Sequence, residues 1–293
     1  MDYHHPQGIR SMLRYVPDPE GERASEGVRY RKMDFDQAFE FLREARPEYV
    51  QDVHVVPEED VLSFYRPDRE LPRVAKKSPK VGKIVSILKE GGLFQESMGI
   101  TGSWVVGLQG PSSDIDFVVY GSAWWRARDL ISKAKNEGQI QELNDATWKK
   151  IYAKRVPEIG YEEFVLHEKR KGNRGLVDGT YFDLLFTRDW SEIKGAHLPG
   201  KKVGPRKIEA VVEEADFAFD NPAVFKIDHE EIEEILCYTH TYAGQALPGE
   251  TIEASGVVEE TEQGLRLVVG TTREAKGEWI RSLTLLSGGS SRS

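Results

Sequence analysis

The sequence predicts an α+β protein of several domains, and three observations carry this prediction. The chain has 293 residues, more than one ordinary hydrophobic core holds, so two or three domains are expected. Before about residue 200, some segments repeat apolar residues at helical spacing and others read as short strands. From about residue 205, short strands punctuated by glycine are typical of a small barrel or sandwich.

These shifts in pattern divide the chain into four predicted segments. An N-terminal α+β region is expected at 1–72, and a central domain with helices and a mixed sheet at 73–204. A β-rich domain is expected at 205–286. The run of serine and glycine at 287–293 is typical of a flexible tail.

Composition excludes some classes of protein and leaves others open. The formal net charge is -9, which does not indicate a nucleic-acid-binding protein, so any basic surface must be local. The single cysteine, Cys237, allows no disulfide within the chain and predicts a reducing compartment, here the cytoplasm. No apolar run approaches the roughly 20 residues that span a bilayer, so no membrane partner is expected.

Local signals predict the elements of the first two segments. Asp34 is placed to cap a helix, and Ser78 followed by Pro79 is typical of another helix start. The stretch at 65–72 is expected to be a linker. The expected helices are 35–45, 57–64, 79–89 and 123–136, and the expected strands are 10–16, 28–33, 94–100, 114–120 and 180–187.

Two aspartates carry the main chemical signal. Asp114 and Asp116 lie on the same face of the expected strand, since strand side chains alternate. Their carboxylates repel each other, and a divalent cation is the simplest compensation. Upstream, a turn at Gly102 and Ser103 would present backbone N–H groups to a phosphate. Together these residues indicate a metal and phosphate site.

The same residues form a longer motif. Its parts are Thr101-Gly102-Ser103, a spacer of ten residues, Asp114-Ile115-Asp116-Phe117 preceded by Ser113, and Asp183 in a later apolar strand. This pattern resembles the nucleotidyltransferase superfamily, which includes DNA polymerase β, poly(A) polymerases and CCA-adding enzymes. The chain departs from it at Thr101, where an aliphatic residue is usual, and at the bulky Trp104. With its flanking segments, the chain resembles archaeal-type predicted nucleotidyltransferases.

The resemblance implies a fold, a reaction and cofactors. The segment 73–204 would be the catalytic domain, with the mixed sheet and helices of a polymerase β-like core. Asp114, Asp116 and Asp183 would bind two Mg²⁺ ions, or Mn²⁺, and Asp183 is also a candidate general base. Gly102, Ser103 and Ser113 would hold the triphosphate of an NTP. The reaction would transfer a nucleoside monophosphate to a hydroxyl and release pyrophosphate.

Basic residues precede the strand that carries Asp183. Within 167–175, Lys171 and Arg174 are candidates for contacting the triphosphate or an acceptor backbone. The alternative is a solvated hairpin loop. The N-terminal strands also carry cations, among them Arg23, with tyrosines between them. That pattern suits binding of single-stranded nucleic acid, and an ordinary two-faced sheet is the favoured alternative.

The β-rich segment contains a glycine, Gly256, in the middle of a long expected strand. Barrels of the OB-fold type use such a glycine to turn a corner, and the segment resembles that fold. OB folds often bind oligonucleotides, but the acidic stretch at 230–234 leaves a barrel used for packing or dimerisation open. The expected strands are 208–215, 223–227, 232–242, 251–259, 265–270 and 279–285.

The acceptor has three candidate identities. An RNA or DNA end is the first hypothesis, because an OB-like barrel and basic segments accompany the catalytic core. A hydroxyl of a small molecule or a protein is the second. The third hypothesis is a nucleic-acid-binding protein whose nucleotidyltransferase core is inactive.

Overall fold

The computed structural model describes residues 4–5, 8–193, 195, 197–272 and 274–289. Contacts between residues divide the chain into two compact units. Unit 1 comprises Met1–Val118, Val177–Asp183 and Ile193–Ala196, and unit 2 comprises Val119–Leu176, Leu184–Glu192 and His197–Ser293. The division into four segments stays a prediction. All three candidate carboxylates belong to unit 1.

Several helices begin where the local signals place them. The side chain of Asp34 accepts the N–H of Gln37 in a capping box, and the hydroxyl of Ser78 accepts the N–H of Val81. Within the described residues, no helix has the length and apolar character that crossing a membrane requires. The α-helices are α1 Phe35–Ala45, α2 Pro67–Lys77, α3 Pro79–Glu90, α4 Gly102–Val105, α5 Ala123–Asn136, α6 Asp145–Arg155, α7 Tyr161–Lys171 and α8 Leu283–Gly289.

The predicted linker at 65–72 is wrong, because α2 begins at Pro67. Proline suits the first turn, where its missing N–H is not needed. Pro72 lies inside the helix at a cost, and the burial of Leu71 and Val74 offsets that cost. α2 packs against α3, the strand Met98–Ile100 and α4. The helix that the sequence did not predict therefore supports the turn at Gly102.

The strands differ from prediction mainly in the N-terminal region. The expected strand at 10–16 is two strands in separate three-stranded sheets, β1-β2-β6 and β3-β5-β4, and the expected helix at 57–64 is only a short 3₁₀ turn at Glu58–Asp60. The strands are β1 His4–His5, β2 Gly8–Ser11, β3 Tyr15–Pro17, β4 Arg23–Ser25, β5 Val28–Lys32, β6 His54–Val56, β7 Met98–Ile100, β8 Ile115–Tyr120, β9 Arg174–Val177, β10 Thr180–Thr187, β11 Lys201–Glu214, β12 Ala223–Asp228, β13 Ile232–Cys237, β14 Thr251–Thr261, β15 Gly264–Val269 and β16 Trp279–Ser282.

A four-stranded sheet in the order β7-β8-β10-β9 carries the candidate site. In β8 and β10, an aspartate whose nearest neighbours are buried interrupts a run of apolar residues. Ile115 and Phe117 are buried on either side of Asp116, and Phe182 and Leu184 are buried on either side of Asp183. The predicted α+β core is confirmed, but the strand expected at 114–120 begins at Ile115, so Asp114 lies just before it.

The β-rich segment forms a six-stranded sheet in the order β11-β12-β13-β15-β14-β16, and β11 also pairs with β14. β13 and β15 are parallel, whereas β11 and β14 are antiparallel. Gly256 lies in β14, where a Cβ atom would lie 2.3 Å from the carbonyl oxygen of Val268. This close backbone approach requires glycine.

The end of the chain differs from the sequence-based expectations in two places. The strand expected at 279–285 ends at Ser282, because the Ser282 hydroxyl accepts the N–H of Leu285 and caps α8. The tail expected at 287–293 begins within α8, which extends to Gly289. Residues 290–293 lie outside the described part of the chain.

Candidate active site

The turn at Gly102 lies directly against Asp116. The N–H of Thr101 donates to the carbonyl oxygen of Asp116 over 3.0 Å, which joins the end of β7 to β8. Gly102 then adopts a left-handed φ of 65°. A Cβ atom there would lie 2.3 Å from Oδ2 of Asp116. Glycine is required twice, because its φ is strained for other residues and because the carboxylate occupies the space of a side chain.

The three predicted carboxylates lie on neighbouring parts of the sheet in unit 1. Asp114 is exposed just before β8, and Asp116 is half-buried within β8. Asp183 is half-buried in β10, the strand next to β8. The hydroxyl of Tyr181 donates to Oδ2 of Asp183 over 2.9 Å, which orients that carboxylate. The structure therefore places the strands of Asp116 and Asp183 side by side.

The chemistry of these side chains fits a hard cation. Mg²⁺ takes oxygen ligands, keeps several waters and is commonly bound by one or two carboxylates together with substrate phosphates. The carboxylate of Asp116 lies against the backbone of Gly102. Asp114 lies two residues earlier in the chain, just before β8. Among the described residues, no group of three or more His, Cys, Asp or Glu side chains is close enough to hold a metal ion. The three-carboxylate metal site stays a prediction.

Trp104 holds the backbone just before β8. Its Nε1–H donates to the carbonyl oxygen of Asp114 over 2.7 Å. The bulky residue that departs from the family pattern therefore braces the backbone beside the first aspartate. Ser103 is half-buried in the single turn of α4, and its carbonyl oxygen accepts the N–H of Leu108 over 2.8 Å.

Ser113 is held by a residue that sequence reasoning did not connect with the site. Its Oγ accepts the N–H of Gly110 over 2.9 Å and a hydrogen bond from Nη1 of Arg23 over 3.1 Å. A Cβ on Gly110 would lie 1.9 Å from that same Nη1, so the guanidinium covers the glycine. No local signal links β4 to a loop 90 residues away. The sequence places Arg23 only among the N-terminal cations.

Lys171 and Arg174 lie in a buried ion-pair cluster of unit 2. Nζ of Lys171 contacts Oε1 of Glu168 at 2.5 Å and donates to the carbonyl oxygen of Thr241 over 2.9 Å. Arg174 pairs with the same carboxylate. The solvated-loop alternative is wrong, because Lys171 ends a helix and all three charged side chains are buried. Contact of both cations with the nucleotide stays a prediction.

Comparison with known proteins identifies the family. The chain is 40% identical to the uncharacterized protein MJ1086 of Methanocaldococcus jannaschii, over 95% of this chain and 93% of that protein. Residues 81–171 match the family model described as a nucleotidyltransferase domain. The chain belongs to the nucleotidyltransferase superfamily. The match to this nucleotidyltransferase domain includes Gly102, Ser103, Asp114 and Asp116 and ends before Asp183. No solved structure is significantly similar to the chain.

Proposed function

We propose that this nucleotidyltransferase moves a nucleoside monophosphate from an NTP to a hydroxyl, releases pyrophosphate and depends on a divalent metal. The observation that carries the proposal is the contact between the Gly102 backbone and the carboxylate of Asp116. It brings the turn that would bind phosphate and a carboxylate that would bind the metal to one place. That juxtaposition suits a substrate whose phosphates carry the cation.

The chain's own residues divide the work of binding and orientation. Asp114, Asp116 and Asp183 would hold Mg²⁺, or Mn²⁺, and the bound ions would supply charge neutralisation at the triphosphate and activation of the acceptor hydroxyl. The missing side chain of Gly102 leaves room for the carboxylate of Asp116, and the backbone of the turn would bind the triphosphate beside it. The hydroxyl of Ser103 donates to a phosphate oxygen, and Tyr181 keeps the carboxylate of Asp183 in one orientation.

The acceptor in this proposal is the end of an RNA or DNA strand. Five strands pair in the ring β11-β12-β13-β15-β14, which closes where β14 pairs with β11. The parallel pair β13–β15 and the close approach at Gly256 support an OB-like barrel. OB folds bind oligonucleotides, so such a barrel favours a nucleic-acid acceptor. The cytoplasm stays the predicted compartment, since a chain with the single cysteine Cys237 and no disulfide fits a reducing environment.

The test is transfer of label from NTPs. Purified protein is incubated with Mg²⁺, each α-labelled NTP and a mixed RNA pool, with chelator in a parallel sample. The proposal predicts labelled, extended RNA that is absent with chelator. Label on protein or on a small molecule would contradict the RNA acceptor and retain nucleotidyl transfer. No label transferred from any NTP would contradict the reaction itself.

A further inference from the structure

Unit 1 contains a cleft of about 410 Å³ beside the candidate active site. The start of α3, the loop before Asp114 and the turn before β10 line it. Gly102, Ser103, Asp114, Asp116 and Asp183 do not line it. The cleft therefore excludes the turn at Gly102 and the carboxylates, and it shares only Ser113 with the residues predicted to hold the triphosphate. Its polar and aromatic lining residues include Lys77, Lys80, Trp104, Ser113, Asp178 and Thr180.

The cleft carries surplus positive charge. Nζ of Lys80 donates one hydrogen bond, to Oγ1 of Thr180 over 2.5 Å, and an ammonium has two further N–H groups to donate. Lys77 is exposed and makes no hydrogen bond or ion pair within the described part of the chain. The one acidic lining residue, Asp178, is balanced by Lys83 at 3.0 Å. Two ammonium groups are thus left to meet an anion.

A third polar group in the cleft has donor capacity. Oγ of Ser113 accepts hydrogen bonds from Gly110 and Arg23, so both of its lone pairs are used. The hydroxyl group of Ser113 can still donate one hydrogen bond through its own hydrogen atom. A hydroxyl held in this way presents a donor, which suits a phosphate oxygen.

The cleft also has a fixed aromatic wall. Trp104 lines it, and the bond from Nε1 to the carbonyl oxygen of Asp114 fixes the indole ring. Indole rings stack on any of the nucleobases, so this contact does not depend on the nucleotide sequence. Two ammonium groups, a hydroxyl donor and an aromatic ring together match a nucleotide unit of a polynucleotide, with its phosphate and its base.

We propose that this cleft binds the end of the single-stranded nucleic-acid acceptor, with phosphates at Lys77 and Lys80 and a base on Trp104. This inference rests on the proposed function. Of the three residues predicted to hold the triphosphate, Ser113 lines the cleft, whereas Gly102 and Ser103 lie outside its walls, so an acceptor suits the cleft better than the NTP does. Ser113 in the wall is also the residue before Asp114, so a strand held there ends beside the carboxylates.

The test measures binding without turnover. A labelled single-stranded RNA oligonucleotide is titrated with protein by fluorescence anisotropy, without NTP and without Mg²⁺, across a range of salt concentrations. The Lys77→Ala, Lys80→Ala double variant is compared with a Lys76→Ala, Lys89→Ala variant. The control removes the same charge from exposed positions on α2 and α3 that do not line the cleft.

The inference predicts that the cleft variant raises Kd about tenfold or more at low salt. It also predicts that the slope of log Kd against the logarithm of the salt concentration falls by about 1.4. Each lost phosphate contact on a single strand lowers this slope by about 0.7, and the variant loses two. The control variant keeps the wild-type salt dependence. Equal losses in both variants, or no RNA binding by the wild type, would overturn the inference.

A second titration separates acceptor from nucleotide. If the cleft variant weakens binding of ATP with Mg²⁺ and leaves RNA binding unchanged, the cleft holds the NTP and the inference is wrong. Failure of the proposed function has a different signature. RNA binding would then depend on Lys77 and Lys80 as predicted, while no NTP donates its nucleotide to any acceptor.

Discussion

Replacing Gly102 with alanine perturbs the candidate site through one added atom. The new Cβ would lie 2.3 Å from Oδ2 of Asp116, whereas ordinary contact begins near 3.4 Å. The carboxylate or the turn must therefore move by about 1 Å, the difference between the two distances. The left-handed φ of 65° adds a backbone cost of about 1–2 kcal/mol for a residue with a side chain.

The displacement predicts a loss of catalysis larger than the loss of stability. A misplacement of about 1 Å costs on the order of 100-fold in rate, which equals about 2.7 kcal/mol of transition-state stabilisation. The assay is the rate of pyrophosphate release from NTP with Mg²⁺ and acceptor. Urea denaturation of the same preparation gives the change in the free energy of unfolding.

Gly138 provides the matched control. Its φ is 74°, and nothing lies within 4 Å of a Cβ built there. Gly138→Ala is expected to lose similar stability and to keep the wild-type rate. If Gly102→Ala keeps the wild-type rate, or loses no more than Gly138→Ala, the contact with Asp116 has no catalytic role.

Two further predictions concern buried charge in unit 2. Glu168→Gln removes the carboxylate that Lys171 and Arg174 share, and we expect a loss of about 3–5 kcal/mol in urea denaturation, because buried cations remain unpaired. His167 is buried, its Nε2 accepts the N–H of Ser282 over 3.0 Å, and burial is the main reason that its pKa is lowered from 6.5 to about 4. Protonation therefore opposes folding: the stability from the neutral ring is complete above pH 6.5 and is lost as the pH falls towards 4, by about 3 kcal/mol in total.

Each of these predictions has its own control. Glu142→Gln removes an exposed carboxylate that pairs with Lys135, and we expect a change below about 1 kcal/mol. A Glu168→Gln variant as stable as Glu142→Gln would refute the cluster's role. For His167, the pH dependence of stability between 6.5 and 5 is compared with that of His167→Gln. Identical slopes would show that the ring does not titrate as described.

Elements with strong local signals could be predicted from the sequence. Asp34 and Ser78 cap their helices as expected, because the capping hydrogen bond joins residues three apart. The helix α2 was missed, because Pro72 argues against a helix locally and only the burial of Leu71 and Val74 favours it. Tertiary packing therefore determines that this segment is helical.

The site shows the same division between local and distant information. The spacing of Asp114 and Asp116, with the glycine turn before them, indicates their chemistry without a structure. The contact of Arg23 with Ser113 joins residues 90 positions apart and leaves no local trace. The burial of Lys171 depends on its ion pair with Glu168. The sequence at 167–175 indicates a basic cluster and does not indicate that Glu168 is the counter-charge.

The central claim is that the aspartate pair drives nucleotidyl transfer. Its most direct test is the rate of pyrophosphate release by Asp114→Ala and Asp116→Ala, with Asp129→Ala as an exposed control whose carboxylate lies outside the candidate site. The account predicts that both site variants lose transfer while retaining the wild-type urea midpoint, and that the control keeps its rate. Full activity in both site variants would contradict the assignment of the active site.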